Sequence, residues 1–401
     1  MGSFDTARLD RISTWMQSYV DRQLYAGCSA LITQHGQEVF YSEKGLRDVA
    51  SGLPWQRDTI VRLYSMTKPL TSLALMMLVE RGIVHLDAPV SAFIPAFADT
   101  RCLLPDATDI AQTEVCTVPT LHQLLTHTSG LSYPFNPGVL PQAMQADDLV
   151  FGPGKGKLVD MVNQVAALPL AFRPGSRWEY SVGIDIIGRV IEVVTGQTLA
   201  AFLEAEIFVP LGMSETRFTV SEGGRDRFAA LYTPLAGNSF DLNASQKSNE
   251  TLRLTDRAAE SPFLGTQMHS GGGGLVGTID DYAKFAEALR SGGHSLVSRH
   301  SLGFMMCNHL TGDIASMGPS SFAEQPMHGM GFGIGGAVVL DPARAGVPGS
   351  VGDFSWGGMA STFFWIDPVH DLSVLFFTQL APSSSYPARA ELKALVHGAL
   401  L

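Results

Sequence analysis

The sequence carries little charge and few cysteines for its length: 16% of its 401 residues are charged and 4 are cysteine. Cys28, Cys102, Cys116 and Cys307 make no CxxC pair and no zinc-type spacing. Free thiols in a reducing compartment are therefore expected, with a Cys102–Cys116 loop closure as the alternative for an exported protein. Basic runs are missing too: Lys+Arg 27 against Asp+Glu 38 gives a net charge of -11, which repels a phosphate backbone and argues against a nucleic-acid partner. The longest apolar stretch, residues 70–79, falls well short of the roughly twenty residues a membrane span needs. The first residues alternate charged with apolar side chains and lack the uninterrupted apolar core of a secretion signal. A soluble, cytoplasmic protein is the expectation. HExxH is absent, His122 and His127 have the wrong spacing for one helical metal face, and 269–275 lacks the GKS/T ending of a phosphate loop. No metal and no cofactor are expected.

What is present is a folding chain, 45% hydrophobic and punctuated by 41 Gly and 22 Pro. Residues 5–24 place Leu9, Ile12, Met16, Tyr19, Val20 and Leu24 at helical spacing, and two β-rich runs, 28–34 and 38–42, follow across His35-Gly36, a hairpin signal. Near the other end, 331–335 leads into strand candidates at 337–340, 359–366 and 372–378, and 387–400 reads as a closing helix. Strands clustered at both termini imply one antiparallel sheet built from the two ends of the chain. Helical periods at 157–168, 182–195 and 198–208 occupy the middle. The fold class is thus α+β, an antiparallel sheet flanked by N- and C-terminal helices, with 1–90 plus 266–401 as the sheet domain and 91–265 as a mostly helical inserted domain. The polar, Gly/Pro-punctuated segments 133–156 and 235–262 read as long loops bordering a cleft.

Chemistry concentrates first at Ser65 and Lys68, three apart at the start of the most apolar helix. Positions i and i+3 share a helical face, so the amine reaches the hydroxyl. A serine needs a neighbour that takes its proton and donors that stabilise the oxyanion formed on attack. For Lys68 to serve as base near neutrality its pKa must fall by about 3 units, which burial against apolar neighbours provides. Tyr180, in Trp178-Glu179-Tyr180-Ser181-Val182, is a second candidate: a tyrosinate held by a lysine ammonium accepts protons, whereas the plainer reading makes it a core tyrosine with Ser181 as a helix cap. Trp356-Gly357-Gly358-Met359, before a strand, lets a backbone approach a ligand closely and offers the Met359 N–H as a second oxyanion donor. Ser129, in Thr126-His127-Thr128-Ser129-Gly130, is a weaker rival nucleophile in what reads as a turn after a short helix, and Ser270-Gly271-Gly272-Gly273-Gly274 reads as a flexible hinge returning from the insert.

Taken in order, Ser65-Met66-Thr67-Lys68, Leu124-Leu125-Thr126-His127-Thr128-Ser129-Gly130-Leu131, Pro174-Gly175 with Tyr180-Ser181, Ser270-Gly271-Gly272-Gly273-Gly274-Leu275 and Trp356-Gly357-Gly358 resemble the serine β-lactamase-like superfamily, and most closely its family VIII carboxylesterases. The resemblance covers nearly the whole chain. It implies Ser65 as acylated nucleophile, Lys68 and Tyr180 as the proton-transfer pair, the N–H groups of Ser65 and Met359 as oxyanion hole, and Trp356, Gly357 and Gly358 against the substrate. Two departures matter. Val182 stands where β-lactamases and penicillin-binding proteins carry an asparagine that holds the substrate amide, and Trp356 where they carry a lysine or histidine that attracts the β-lactam carboxylate. Losing both favours uncharged esters over anionic penicillins. The absence of Gly-x-Ser-x-Gly argues against an ordinary α/β-hydrolase. The expectation is a serine carboxylesterase for short acyl chains with weak β-lactam hydrolysis, its partner a small-molecule ester and its state monomer or homodimer. An acyltransferase, amidase or D-peptidase on the same residues, or an acylated sensor without turnover, is the alternative.

Overall fold

The structure, a computed structural model, describes residues 4–401 other than 148, 150, 151, 155, 243 and 245. Helix α1 (Thr6–Asp21) starts at Asp5, whose carboxylate accepts the Arg8 N–H at 3.1 Å, and buries Leu9, Ile12, Met16 and Tyr19 along one stripe. The chain then forms the hairpin of β1 (Gly27–Gln34) and β2 (Gln37–Asp48), with His35 and Gly36 both at positive φ in the turn, and the short β3 (Leu53–Pro54). Five later strands join them: β4 (Met330–Phe332), β5 (Ala337–Val339), β6 (Phe354–Gly357), β7 (Phe363–Asp367) and β8 (Leu372–Thr378). The sheet order is β4-β5-β6-β7-β8-β1-β2-β3, antiparallel throughout. Its two halves meet where Cys28 pairs with Thr378 and Gln34 with Leu372.

Alternation along these strands sorts the core. Ala30, Ile32, Val374 and Phe376 pack with α1 and the last helix, whereas Leu31, Leu375 and Phe377 enter the cluster on the opposite face. That second cluster is continuous with the helical part of the chain. It contains α2 (Thr67–Glu80), α3 (Leu121–Leu125), α4 (Gly183–Thr195) and α5 (Ile279–Arg290); the final helix is α6 (Ala388–Ala399). Helix α2 is buried from Thr67 through Leu78. Burying Leu70, Leu73, Leu75 and Leu78 contributes roughly 1.5–3 kcal/mol each, enough to carry one lysine inside. The fold is the β-lactamase/transpeptidase type. Among the described residues no single helix is long and apolar enough to cross a membrane.

Three sequence readings need correction. The strand expected at 359–366 begins only at Phe363, and the run before it, Phe354–Gly357, is itself strand β6, because Phe354, Ser355 and Trp356 pair with Ile366, Trp365 and Phe364. Met359 instead lies in a tight loop, where Gly358 N–H donates to Thr362 O at 2.7 Å and Ser361 has a φ of 63°. The segments 133–156 and 235–262 are not wholly loop: Val139–Ala146 is a helix, and Arg253–Asp256 pairs with Leu231–Thr233. Finally, 270–274 is no hinge. Gly271 is glycine because a Cβ there would meet Ile184 O at 2.8 Å, and Gly272 because it would meet Asp185 Oδ2 at 2.3 Å and the Tyr133 hydroxyl at 2.9 Å.

Candidate active site

Ser65 sits in a 3-10 turn, Tyr64–Met66, that runs directly into α2. The turn is held from several sides. Leu63 N–H donates to Leu275 O at 2.9 Å, Leu275 N–H to Thr67 Oγ1 at 3.1 Å, and the Tyr282 hydroxyl of α5 to Met66 O at 2.9 Å. Tyr64 has a φ of 44°, a conformation that costs a bulky residue about 1–3 kcal/mol and persists where the surroundings over-determine it. Its ring is wedged edge-on against Phe240 and Phe263.

From α2 the Lys68 amine lies 3.2 Å from Ser65 Oγ, 3.0 Å from the Tyr133 hydroxyl and 2.7 Å from Gly272 O. Burial pushes its pKa down to about 7, against the opposing pull of the Asp185 carboxylate. A neutral amine has two N–H groups and one lone pair, and the three neighbours match: Gly272 O and the Tyr133 oxygen accept, leaving the lone pair toward Ser65. Asp185, on α4, accepts from Ser270 Oγ at 2.5 Å and from Gly272 N–H at 3.0 Å, which fixes the glycine turn under the amine. We expect Gly272→Ala to force Asp185 and Tyr133 off this arrangement, lowering stability by about 1–3 kcal/mol and kcat by roughly tenfold, as read by denaturant titration and initial rates.

Tyr180 reaches the same oxygen, its hydroxyl 2.6 Å from Ser65 Oγ and its ring 4.6 Å from the Lys68 amine. Burial raises the Tyr180 pKa, the contact with Ser65 only partly offsetting it, so the phenol keeps its proton. Its position is set by residues around it. Asn136 Nδ2 donates to Tyr180 O at 2.8 Å, and His127, at a φ of 57°, accepts the Ser181 N–H on Nδ1 at 3.2 Å and turns its ring edge toward Tyr180 at 4.8 Å. Burial drives the His127 pKa well below the usual imidazole range, so the ring is neutral. Ser181 is not the helix cap expected of it: Val182 holds the cap position of α4, and the Ser181 hydroxyl instead lies 3.1 Å from His127 Nδ1.

The Trp356-Gly357-Gly358-Met359 run closes the third side. A Cβ on Gly358 would meet Leu63 O at 2.3 Å, so only glycine lets the end of β6 approach the turn that carries Ser65. The Trp356 ring lies 5.4 Å from Tyr180 and stacks on Phe322. Ser65, Tyr133, Tyr180, Trp356, Gly357, Gly358 and Met359 all line one cavity of about 1230 Å³, with parts of 134–153 and 238–262 along its rim. Ser129 is elsewhere: it is fully buried and its Oγ accepts the Leu131 N–H. Tyr133, Asn136 and Asp185 escaped the sequence reading. Asp185 carried one usable signal, an acid on the buried stripe of a strongly amphipathic helix.

A serine-bearing turn at the head of a buried helix, an i+3 lysine, a phenol from the helical part and a glycine-ended strand thus meet in the wall of one cavity, the arrangement of a candidate serine hydrolase site. The chain belongs to the family described as Beta-lactamase, which it matches over residues 12–398. It is 34% identical over 388 residues to the esterase EstB of Burkholderia gladioli, covering 94% of this chain and 90% of that one. The lovastatin esterase of Penicillium rubens is 28% identical over 381 residues, 90% of each chain. Among solved structures, EstCE1, described as a hydrolase with promiscuous acyltransferase activity, superposes with a TM-score of 0.79 at 26% identity over 98% of both chains.

Proposed function

We propose that this protein is a serine carboxylesterase that hydrolyses uncharged esters of short acyl chains through an acyl-enzyme on Ser65. The observation that carries the reading is the convergence of the Lys68 amine and the Tyr180 phenol on one serine oxygen, at 3.2 Å and 2.6 Å, in the wall of an open cavity. Esterase and acyltransferase relatives on the same fold support it. Neutral Lys68 takes the Ser65 proton as Oγ bonds to the ester carbonyl carbon. The N–H groups of Ser65 and Met359 receive the oxyanion. On collapse the C–O bond to the alcohol breaks, and the alkoxide takes the Tyr180 proton, which the Lys68 ammonium restores. Water then repeats the sequence in reverse sense on the acyl-enzyme, releasing acid and free Ser65.

Preference for uncharged esters rests on the walls. Val182 is fully buried and offers no amide to a substrate, and Trp356 presents an indole where a cation would hold a carboxylate. Arg389 also lines the cavity, but it faces Glu324 at 3.3 Å, which offsets its charge. β-Lactam hydrolysis is then a weak side activity. Acyl transfer to an alcohol is the second reading, favoured by a cavity of about 1230 Å³, larger than a short-chain ester fills; an added alcohol that outcompetes bulk water at low concentration would establish it.

A fluorophosphonate followed by peptide mass analysis tests the assignment. The expected adduct is on Ser65; labelling of any other hydroxyl overturns it. Intact mass after an activated ester then separates an enzyme from a sensor, since a sensor stays acylated and the enzyme returns to its starting mass.

A further inference from the structure

A second group of reactive side chains lies where β7 ends and α6 closes. Asp367 is fully buried. Its Oδ1 accepts the N–H groups of Val369 and His370 at 2.8 and 3.0 Å, and its Oδ2 accepts the Ser350 hydroxyl at 2.8 Å. His370 Nδ1 lies 2.8 Å from that same Oδ2, and His397 Nδ1, from the last turn of α6, lies 4.0 Å from it. One donor atom from each of the three residues falls within 4.8 Å of the others. Both histidines open onto a groove of about 790 Å³ lined also by Pro342, Gly349 and Leu401, and none of its lining residues lines the catalytic cavity.

A plain hydrogen-bonded turn accounts for His370 but not for His397. The His397 side chain is 9% exposed, its Nε2 is buried without a hydrogen-bond partner, and its Nδ1 faces a carboxylate oxygen at a distance too long for a hydrogen bond. The charge balance also favours a cation: Asp353 and Asp367 stand against the single ammonium of Lys393, which is 3.0 Å from Asp353. Two ligand atoms on one tetrahedral zinc ion are about 3.3 Å apart, given bonds of about 2.0–2.1 Å. The separations of 2.8 and 4.0 Å straddle that value, so small side-chain rotations suffice.

We propose that Asp367, His370 and His397 form a binding site for a divalent first-row metal, zinc being the best match to two imidazoles and one carboxylate, with water from the groove as fourth ligand. For His370 to ligate through Nδ1, the ring carries its proton on Nε2 and the contact with Asp367 Oδ2 gives way to the metal. The ion ties the end of α6 to the β7–β8 turn, so its effect is on stability and not on ester chemistry. Nothing local marks the group in the sequence, since His370 lies between two strand candidates and His397 a whole strand and helix further on.

The test is titration of chelator-treated protein with Co(II) and, separately, Zn(II). One equivalent of Co(II) is expected to give the visible d–d bands of a four-coordinate site, and Zn(II) at a hundredfold excess over Kd to raise Tm by about 2–5 °C. His370→Ala, at a half-exposed position, and His397→Gln should each abolish both signals while kcat/KM for p-nitrophenyl butyrate stays at the wild-type value. Absence of binding by the wild type at about 100 µM metal, or signals retained by either variant, would overturn the proposal. These readouts do not depend on the nature of the catalytic reaction.

Discussion

Replacing Ser65 by alanine is expected to lower kcat/KM for p-nitrophenyl butyrate by roughly 10^4- to 10^6-fold, Lys68→Met to bring it to nearly the same floor, and the double variant to fall no further. The reason is geometric. The Lys68 lone pair serves one acceptor role only, toward the oxygen 3.2 Å away, so without that oxygen the amine has nothing to deprotonate, and without the amine the oxygen keeps its proton. Losses that multiplied in the double variant would show the two groups acting independently and would sink the proposed pairing. The pH profile carries the same claim with a definite sign. Because burial holds Lys68 at about 7, the amine is protonated and idle in acid and free above neutrality. kcat/KM should therefore rise with pH, bend near 7 and flatten beyond it, as measured from about pH 5 to 9. A profile still rising steeply at pH 9 would mean that the lysine titrates near its solution value.

How much of this was readable in advance depends on whether the signal was local. Helix α1 and the β1–β2 hairpin declare themselves within their own segments, since Leu9, Ile12, Met16 and Tyr19 recur at helical spacing and His35-Gly36 marks the turn. The proximity of Ser65 and Lys68 needs only one helical turn. Strand β6 was hidden because its pairing partners, Phe364 to Ile366, decide it, and a Gly-rich run looks like a turn until a neighbour covers it. The glycines of 270–274 misled for a related reason. Composition signals freedom, whereas here the missing Cβ of Gly271 makes room for the α4 backbone and that of Gly272 for the Asp185 carboxylate and the Tyr133 hydroxyl, none of which is near in sequence. Tyr133 was invisible by the same logic: a tyrosine beside Pro134 in a loop becomes a partner of Lys68 only after the helical part folds against α2.

That second phenol leads to the remaining large effect. Tyr180→Phe is expected to lower kcat by about 10^2- to 10^4-fold with KM little changed, and to leave the acid limb where it was. Tyr133→Phe is expected to cost only about tenfold in kcat but to move the limb to lower pH. The two hydroxyls differ in what they touch. Tyr180 contacts Ser65 Oγ at 2.6 Å and stays protonated, so it is placed to hand a proton to the departing alkoxide, an event that exists only in the transition state. Tyr133 contacts the Lys68 amine at 3.0 Å, and its oxygen favours the ammonium; removing it makes the charged form harder to hold inside the protein. Parallel measurements of kcat and of the limb on both variants separate the roles. If Tyr133→Phe proves the more damaging of the two, and Tyr180→Phe the one that moves the limb, the proton to the leaving group comes from the lysine side of the serine and the assignments must be exchanged.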